Sequence, residues 1–99
     1  MEIKMDKNGT ALTVTLTGRL DTMTSPQLEE EIQKNIDGVT DLTFDFKDLE
    51  YISSAGLRVL LSTQKHMMKQ GEMKIIHVSD TIMEIFNVTG FSDIMTVTA

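Results

Sequence analysis

Ser53 and Ser54 stand side by side ahead of Ala55, Gly56 and Leu57, where Leu57, Leu60 and Leu61 begin to recur at helical spacing. Two adjacent hydroxyls and a glycine in what reads as a first helical turn make an anion site that contains a phosphorylatable side chain. Backbone N–H groups of a first turn lack intrahelical partners and the macrodipole makes that end positive, so the helix would stabilise a phosphate added there. Modification would leave the helix standing and change the charge it presents by about −1.5 to −2 at neutral pH. The plainer reading is capping: serine is a common N-cap, and Ser-Ser before an apolar helix requires no regulation.

Hydrolysis is the other chemistry a serine suggests, and it needs a base. The only histidines are His66 and His77. His66 lies about three turns along the same helix, roughly 18 Å by the helical rise, which is too far to reach Ser54. His77 belongs to a neighbouring strand and stays formally open. The chain has no Gly-x-Ser-x-Gly elbow, no Walker loop and no Gly-x-Gly-x-x-Gly, so catalysis and nucleotide binding lack their usual parts. We expect a protein that is not an enzyme and uses no cofactor or metal.

The chain has 99 residues, enough for one small domain spanning 1–99 with a modest core. Fifteen acidic against nine basic residues give a net charge of −6, which disfavours nucleic acid and anionic membrane and points to a protein partner. There is no cysteine, which removes disulfides, thiolate metal sites and thiol catalysis. Met1 to Asp6 alternates charged and apolar residues with no signal-like apolar core, and the longest apolar run is Val59-Leu60-Leu61. A cytoplasmic location is expected. The eight methionines read as soft core filler. Charged helix faces suggest a monomer.

Around the serines, the elements follow from periodicity. Ile3 and Met5, then Leu12, Val14 and Leu16, alternate with polar residues on either side of Asn8-Gly9, which predicts a β-hairpin. Gly18 to Thr22 reads as a loop. Thr24 or Ser25 can cap a helix with Pro26 in its first turn and Leu28, Ile32 and Ile36 inward, ending at Gly38. Leu42, Phe44 and Phe46 mark a short strand carrying Asp45 on its polar side in a structural role, and Asp48 to Ile52 lead to the serines. The next helix turns Leu57, Leu60, Leu61 and Met68 inward, with Gly71 as its C′ residue. A strand from Met73 to Val78, a third helix opened by Ser79 or Asp80 and closed by Gly90, and an apolar tail with one more short strand complete the chain. This order implies an α/β sandwich: a mixed sheet of four to five strands led by an antiparallel hairpin, later strands parallel with right-handed crossovers, and about three main helices. Partners of such sheets dock at the carboxyl ends of the strands, where Ser54 falls, and Asp21 with it if one sheet holds the hairpin and the later strands.

Three blocks carry a family resemblance: Gly18-Arg19-Leu20-Asp21 followed by Leu28; Phe44-Asp45-Phe46 leading through Tyr51-Ile52 into Ser53-Ser54-Ala55-Gly56-Leu57; and Val88-Thr89-Gly90-Phe91. With the matching order of elements, the chain resembles the STAS domain family over nearly its whole length, and within it the free-standing anti-sigma factor antagonists of bacteria. The resemblance implies a STAS-like fold and a regulator of transcription. Unphosphorylated, it would bind an anti-sigma factor that is itself a serine kinase and so release the sigma factor. Phosphorylation by that kinase would switch it off, and a serine phosphatase would reset it.

The family pattern Asp-Ser-x-Gly places the phosphoacceptor at Ser54, with Ala55 and Gly56 following and Ser53 standing where aspartate is usual; Ser53 is the alternative acceptor. The resemblance further implies a partner-binding surface of Asp21, Thr22, Ser53, Ser54, Gly56, Leu57 and Arg58. A dianion on Ser54 near Asp21 should act by like-charge repulsion and desolvation at the interface. The rival within the family is a STAS domain that is never phosphorylated and serves as a docking subunit, for example of a transporter ATPase.

Overall fold

The computed structural model describes residues 1–99. Alternation in the first twenty residues builds β1 (Glu2–Asn8) and β2 (Ala11–Leu20), paired antiparallel with Ile3 opposite Leu16 and Met5 opposite Val14. Apolar residues of both strands therefore share one face. Three further strands, β3 (Asp41–Ile52), β4 (Glu72–Ile76) and β5 (Thr96–Val97), add in parallel in the order β1-β2-β3-β4-β5. The hairpin and the later strands thus share one sheet.

Three helices, α1 (Ser25–Asn35), α2 (Ser54–Met67) and α3 (Asp80–Thr89), connect the parallel strands, and one 3₁₀ turn (Phe91–Asp93) precedes β5. Leu12, Val14 and Leu16 of β2, Leu42, Phe44 and Phe46 of β3 and Ile75 of β4 form a single core with Leu28 and Ile32 of α1, Leu57 and Leu60 of α2 and Ile82 and Phe86 of α3. Phe46 packs edge-on against Phe44 and tilted against Phe86, which seats α3 on the sheet. The opposite sheet face carries Thr13, Thr15, Thr43 and Asp45. No helix is long and apolar enough to cross a membrane.

The structure corrects the expected elements in four places, the first being that β4 ends at Ile76 and not at Val78, which leaves His77 outside the strand. Gly18, Arg19 and Leu20 are strand and not loop, because β3 is twelve residues long and supplies partners for them at Leu49, Tyr51 and Ile52. Strand β3 accommodates this with two irregularities: it advances from Asp45 to Asp48 while β2 advances from Thr15 to Thr17, and from Leu49 to Tyr51 against Gly18 to Arg19. Each extra residue breaks the period-2 alternation and re-aims the side chains that follow, which lets Leu49 and Ile52, three apart, both turn inward. In α2 the buried stripe is Gly56, Leu57, Val59, Leu60, Thr63 and Met67, so Met67 enters the core and Met68 is exposed. Gly71 keeps an ordinary φ and does not serve as a left-handed C′ residue.

Candidate functional site

Strands β2 and β3 end together. Leu20 pairs with Ile52, and the Ser53 amide continues the ladder by donating to the Leu20 carbonyl at 2.8 Å. The segments beginning at Asp21 and at Ser53 therefore leave the sheet side by side, at the carboxyl edge where such sheets dock ligands.

The two serines divide the work. Ser53 has extended backbone (φ −96°, ψ 174°) and is the N-cap of α2; its Oγ accepts a hydrogen bond from the Gly56 amide at 3.3 Å. Aspartate, usual at this place in the resembled family, is an equally good cap, so Ser53 keeps the capping function and removes a charge. Ser54 is the first helical residue and is exposed. Its hydroxyl is not engaged in the cap, and its position at the positive end of α2 suits an anion.

Of the other expected surface residues, Thr22 and Arg58 are exposed. Gly56 and Leu57 are not surface contacts. Leu57 is 8% exposed and belongs to the core, and a Cβ at Gly56 would sit 2.7 Å from Leu20 Cγ and 2.9 Å from Ile52 Cγ1. Close packing of α2 on the ends of β2 and β3 explains this glycine.

Asp21 is half-buried and heavily engaged. Its Oδ1 accepts from the Met23 amide at 3.0 Å and the Thr24 amide at 3.1 Å. The Thr24 hydroxyl accepts from the Asp21 amide at 2.9 Å and donates to the Arg19 carbonyl at 2.9 Å. The Thr24 amide, assisted by the Met23 amide, the Thr24 hydroxyl and the Arg19 charge, holds the carboxyl below the ordinary carboxylate range against a partial desolvation that pushes it up. Thr24 occupies the N-cap position of α1 yet makes no side-chain cap, because its hydroxyl is used in this loop.

Met23, passed over in the sequence because methionine reads as core filler, is 85% exposed beside these residues. Arg19 lies over the Tyr51 ring at 4.3 Å from its centroid, a contact between paired neighbours on β2 and β3.

The remaining histidine is elsewhere. His77 follows β4 with a left-handed φ of 57°, and its Nδ1 is 2.9 Å from Asp45 Oδ1. Six residues of β3 separate Asp45 from Ile52, roughly 20 Å or more at the strand rise, so His77 is no base for Ser54. Lys47 N donates to the same Asp45 Oδ1 at 3.0 Å. Burial pushes this carboxyl up, but the His77 and Lys47 hydrogen bonds and charges outweigh it and hold it below its ordinary value.

A depressed native pKa contributes stability that is complete above the unfolded value of about 3.9 and is lost as pH falls through the native one. Replacing His77 with alanine should raise the Asp45 titration midpoint toward the ordinary value and move the onset of acid unfolding upward. Carboxyl chemical shifts followed through the titration check this; an unmoved Asp45 midpoint would show that the pair does not form in solution.

This mixed sheet, with the serine-capped α2 at the carboxyl edge, is the architecture of the STAS domain, and the STAS domain family model matches residues 2–99. The chain belongs to that family. It is 31% identical to the anti-sigma-B factor antagonist of Bacillus subtilis (strain 168), covering 100% of this chain and 90% of the relative. It is 35% identical to the anti-sigma-B factor antagonist of Staphylococcus aureus (strain NCTC 8325), covering 79% of this chain and 74% of the relative. Among solved structures it is similar to the Bacillus anti-sigma factor antagonist SpoIIAA. The unphosphorylated form gives a TM-score of 0.79 at 18% identity over 99% of this chain and 87% of that one. The phosphorylated form gives 0.78 at 20% over 99% and 92%. At these identities the likeness concerns the fold.

Proposed function

We propose that this protein is an anti-sigma factor antagonist whose binding to an anti-sigma factor serine kinase is switched off by phosphorylation of Ser54. The observation that carries the reading is the separation of roles at α2: Ser53 holds the cap, which leaves Ser54 exposed and uncommitted. Modification of Ser54 then costs the fold no hydrogen bond. The two relatives named for this activity support the reading.

The interface centres on Ser54 with Asp21, Thr22, Ser53 and Arg58 around it. In the unphosphorylated state this surface docks on the anti-sigma factor and frees the sigma factor. Phosphate on Ser54 puts a dianion on the docking face of a chain already at −6, and its desolvation and the changed charge of that face then oppose docking. The protein works in the cytoplasm, and a serine phosphatase resets it.

Incubation with ATP and an anti-sigma factor serine kinase of the same organism, followed by tandem mass spectrometry, tests this. Phosphate on Ser54 that disappears in Ser54→Ala is the expected result. Phosphate on Ser53 would retain the switch and move the acceptor; no phosphate with any such kinase would favour the docking subunit that is never modified.

A further inference from the structure

We infer that Met23 is the apolar anchor of this interface, and that Asp21 acts as a positioning residue that holds Met23 in place rather than as a charge read by the partner. The inference rests on the reading of the Ser54 edge as the face that docks an anti-sigma factor.

Five large apolar side chains are exposed: Met23, Tyr51, Met68, Val88 and Ile94. Met23 is the most exposed of them, at 85%, and it projects from the segment that leaves the sheet next to Ser53. Nothing in the fold requires an apolar residue there. Interfaces draw their affinity from a few apolar or aromatic anchors that enter pockets on the partner, and methionine, flexible and polarizable, suits an imperfectly shaped apolar pocket.

An anchor is most effective when its backbone is already ordered, because ordering a loop on binding consumes affinity. The Asp21 loop meets that condition. Asp21 Oδ1 accepts the Met23 and Thr24 amides, the Thr24 hydroxyl is fixed between Asp21 N and the Arg19 carbonyl, and the Ser25 amide donates to the Asp21 carbonyl at 2.9 Å. These bonds fix the backbone on both sides of Met23 while leaving its side chain in solvent.

All the side-chain acceptance by Asp21 is through Oδ1. An asparagine could supply the same acceptor, so the loop needs an oxygen at this place and not a negative charge. That separates positioning from charge recognition.

Binding of the anti-sigma factor serine kinase that modifies Ser54 is measured by calorimetry for wild type, Met23→Ala, Met23→Leu, Asp21→Asn and Asp21→Ala, with melting temperatures and amide exchange on the free proteins. Met23→Ala should weaken binding by about tenfold or more, as an anchor would, with an unchanged melting temperature; Met23→Leu should stay within about threefold, as a volume-conserving swap does. Asp21→Asn should likewise stay within about threefold, whereas Asp21→Ala should lose about tenfold, the cost of freeing an ordered loop, and should speed exchange at the Met23 and Thr24 amides.

Wild-type affinity in Met23→Ala overturns the anchor. Equal losses in Asp21→Asn and Asp21→Ala, with the two amides still protected in Asp21→Asn, overturn positioning and make Asp21 a charge contact. Failure of wild type itself to bind overturns the proposed function, a result distinct from a wild type that binds and variants that bind equally well.

Discussion

Phosphorylation of Ser54 is expected to weaken binding to the anti-sigma factor by about 100-fold, or roughly 2.7 kcal/mol, while leaving the melting temperature unchanged or slightly raised. The first effect follows from placement. The phosphate lies on the docking face, where covering it strips water from a dianion and changes the charge the partner meets. The second follows from the helix. Ser54 is the first residue of α2, whose cap belongs to Ser53, and a negative charge in a first turn contributes about 0.3–1 kcal/mol.

Opposite signs for binding and stability are what separate a surface switch from an unfolding one. Ser54→Asp, with one charge and a shorter reach, should give about a tenth of the binding effect, since a single carboxylate carries less charge than phosphate's −1.5 to −2; Ser54→Ala should bind as wild type does. Calorimetric titration with the phosphorylated and unmodified proteins, beside thermal melts of each, measures both arms. Equal affinity for the two forms would remove the switch. A melting temperature that falls by several degrees would show that phosphate acts through the fold.

Periodicity carried most of the architecture. Alternation in Ile3 to Met5, Leu12 to Leu16 and Leu42 to Phe46 located three strands, and the placement of Ser54 at a helix start came from the residues that follow it. What the pattern concealed was the far half of β3. Its two irregularities put Leu49 and Ile52 three residues apart on the same side, a spacing that resembles neither strand nor loop, so both the strand and its partner Gly18–Leu20 were missed.

The site was legible to residue type but not to task. Either serine could have been the cap, since both are equally good at it; only the backbone shows Ser53 extended and Ser54 helical. Thr24 and Ser25 were both candidate caps of α1; Thr24 holds the N-cap position, but its hydroxyl is spent on Arg19 and Asp21. Leu57 belongs to the inward stripe of α2 by its spacing and to the partner surface by the resemblance alone, and the structure has it in the core at 8% exposed. Met23 was hidden by its own chemistry, because a methionine in a short polar loop has no periodicity to assign it a side.

Gly71→Ala should be the most damaging conservative change in this domain, costing roughly 3 kcal/mol, at the upper end of overpacking. A Cβ there would lie 2.6 Å from both the carbonyl carbon and the Cα of Thr40. These are backbone atoms held in place, since the Thr40 carbonyl accepts the Glu72 amide at 2.8 Å and the Thr40 amide donates to the Thr10 carbonyl at 2.8 Å. No side chain can rotate away to relieve the contact, so the entry to β4 must separate from the entry to β3. For a domain of this size, roughly 3 kcal/mol corresponds to a fall of about 12–24 °C in melting temperature, a large part of a total stability of about 5–15 kcal/mol.

Gly90 supplies the comparison. It caps α3 at φ +80° with nothing within 4 Å of an added Cβ, so Gly90→Ala costs only the left-handed conformation, about 1–2 kcal/mol. Asparagine distinguishes the two cases, because it tolerates left-handed backbone but occupies the same space as any other side chain. Gly90→Asn should recover much of the loss seen with alanine, and Gly71→Asn should recover none. Thermal melts of the four variants decide it: a rescue by asparagine at position 71 would mean that conformation, and not the Thr40 backbone, requires the glycine.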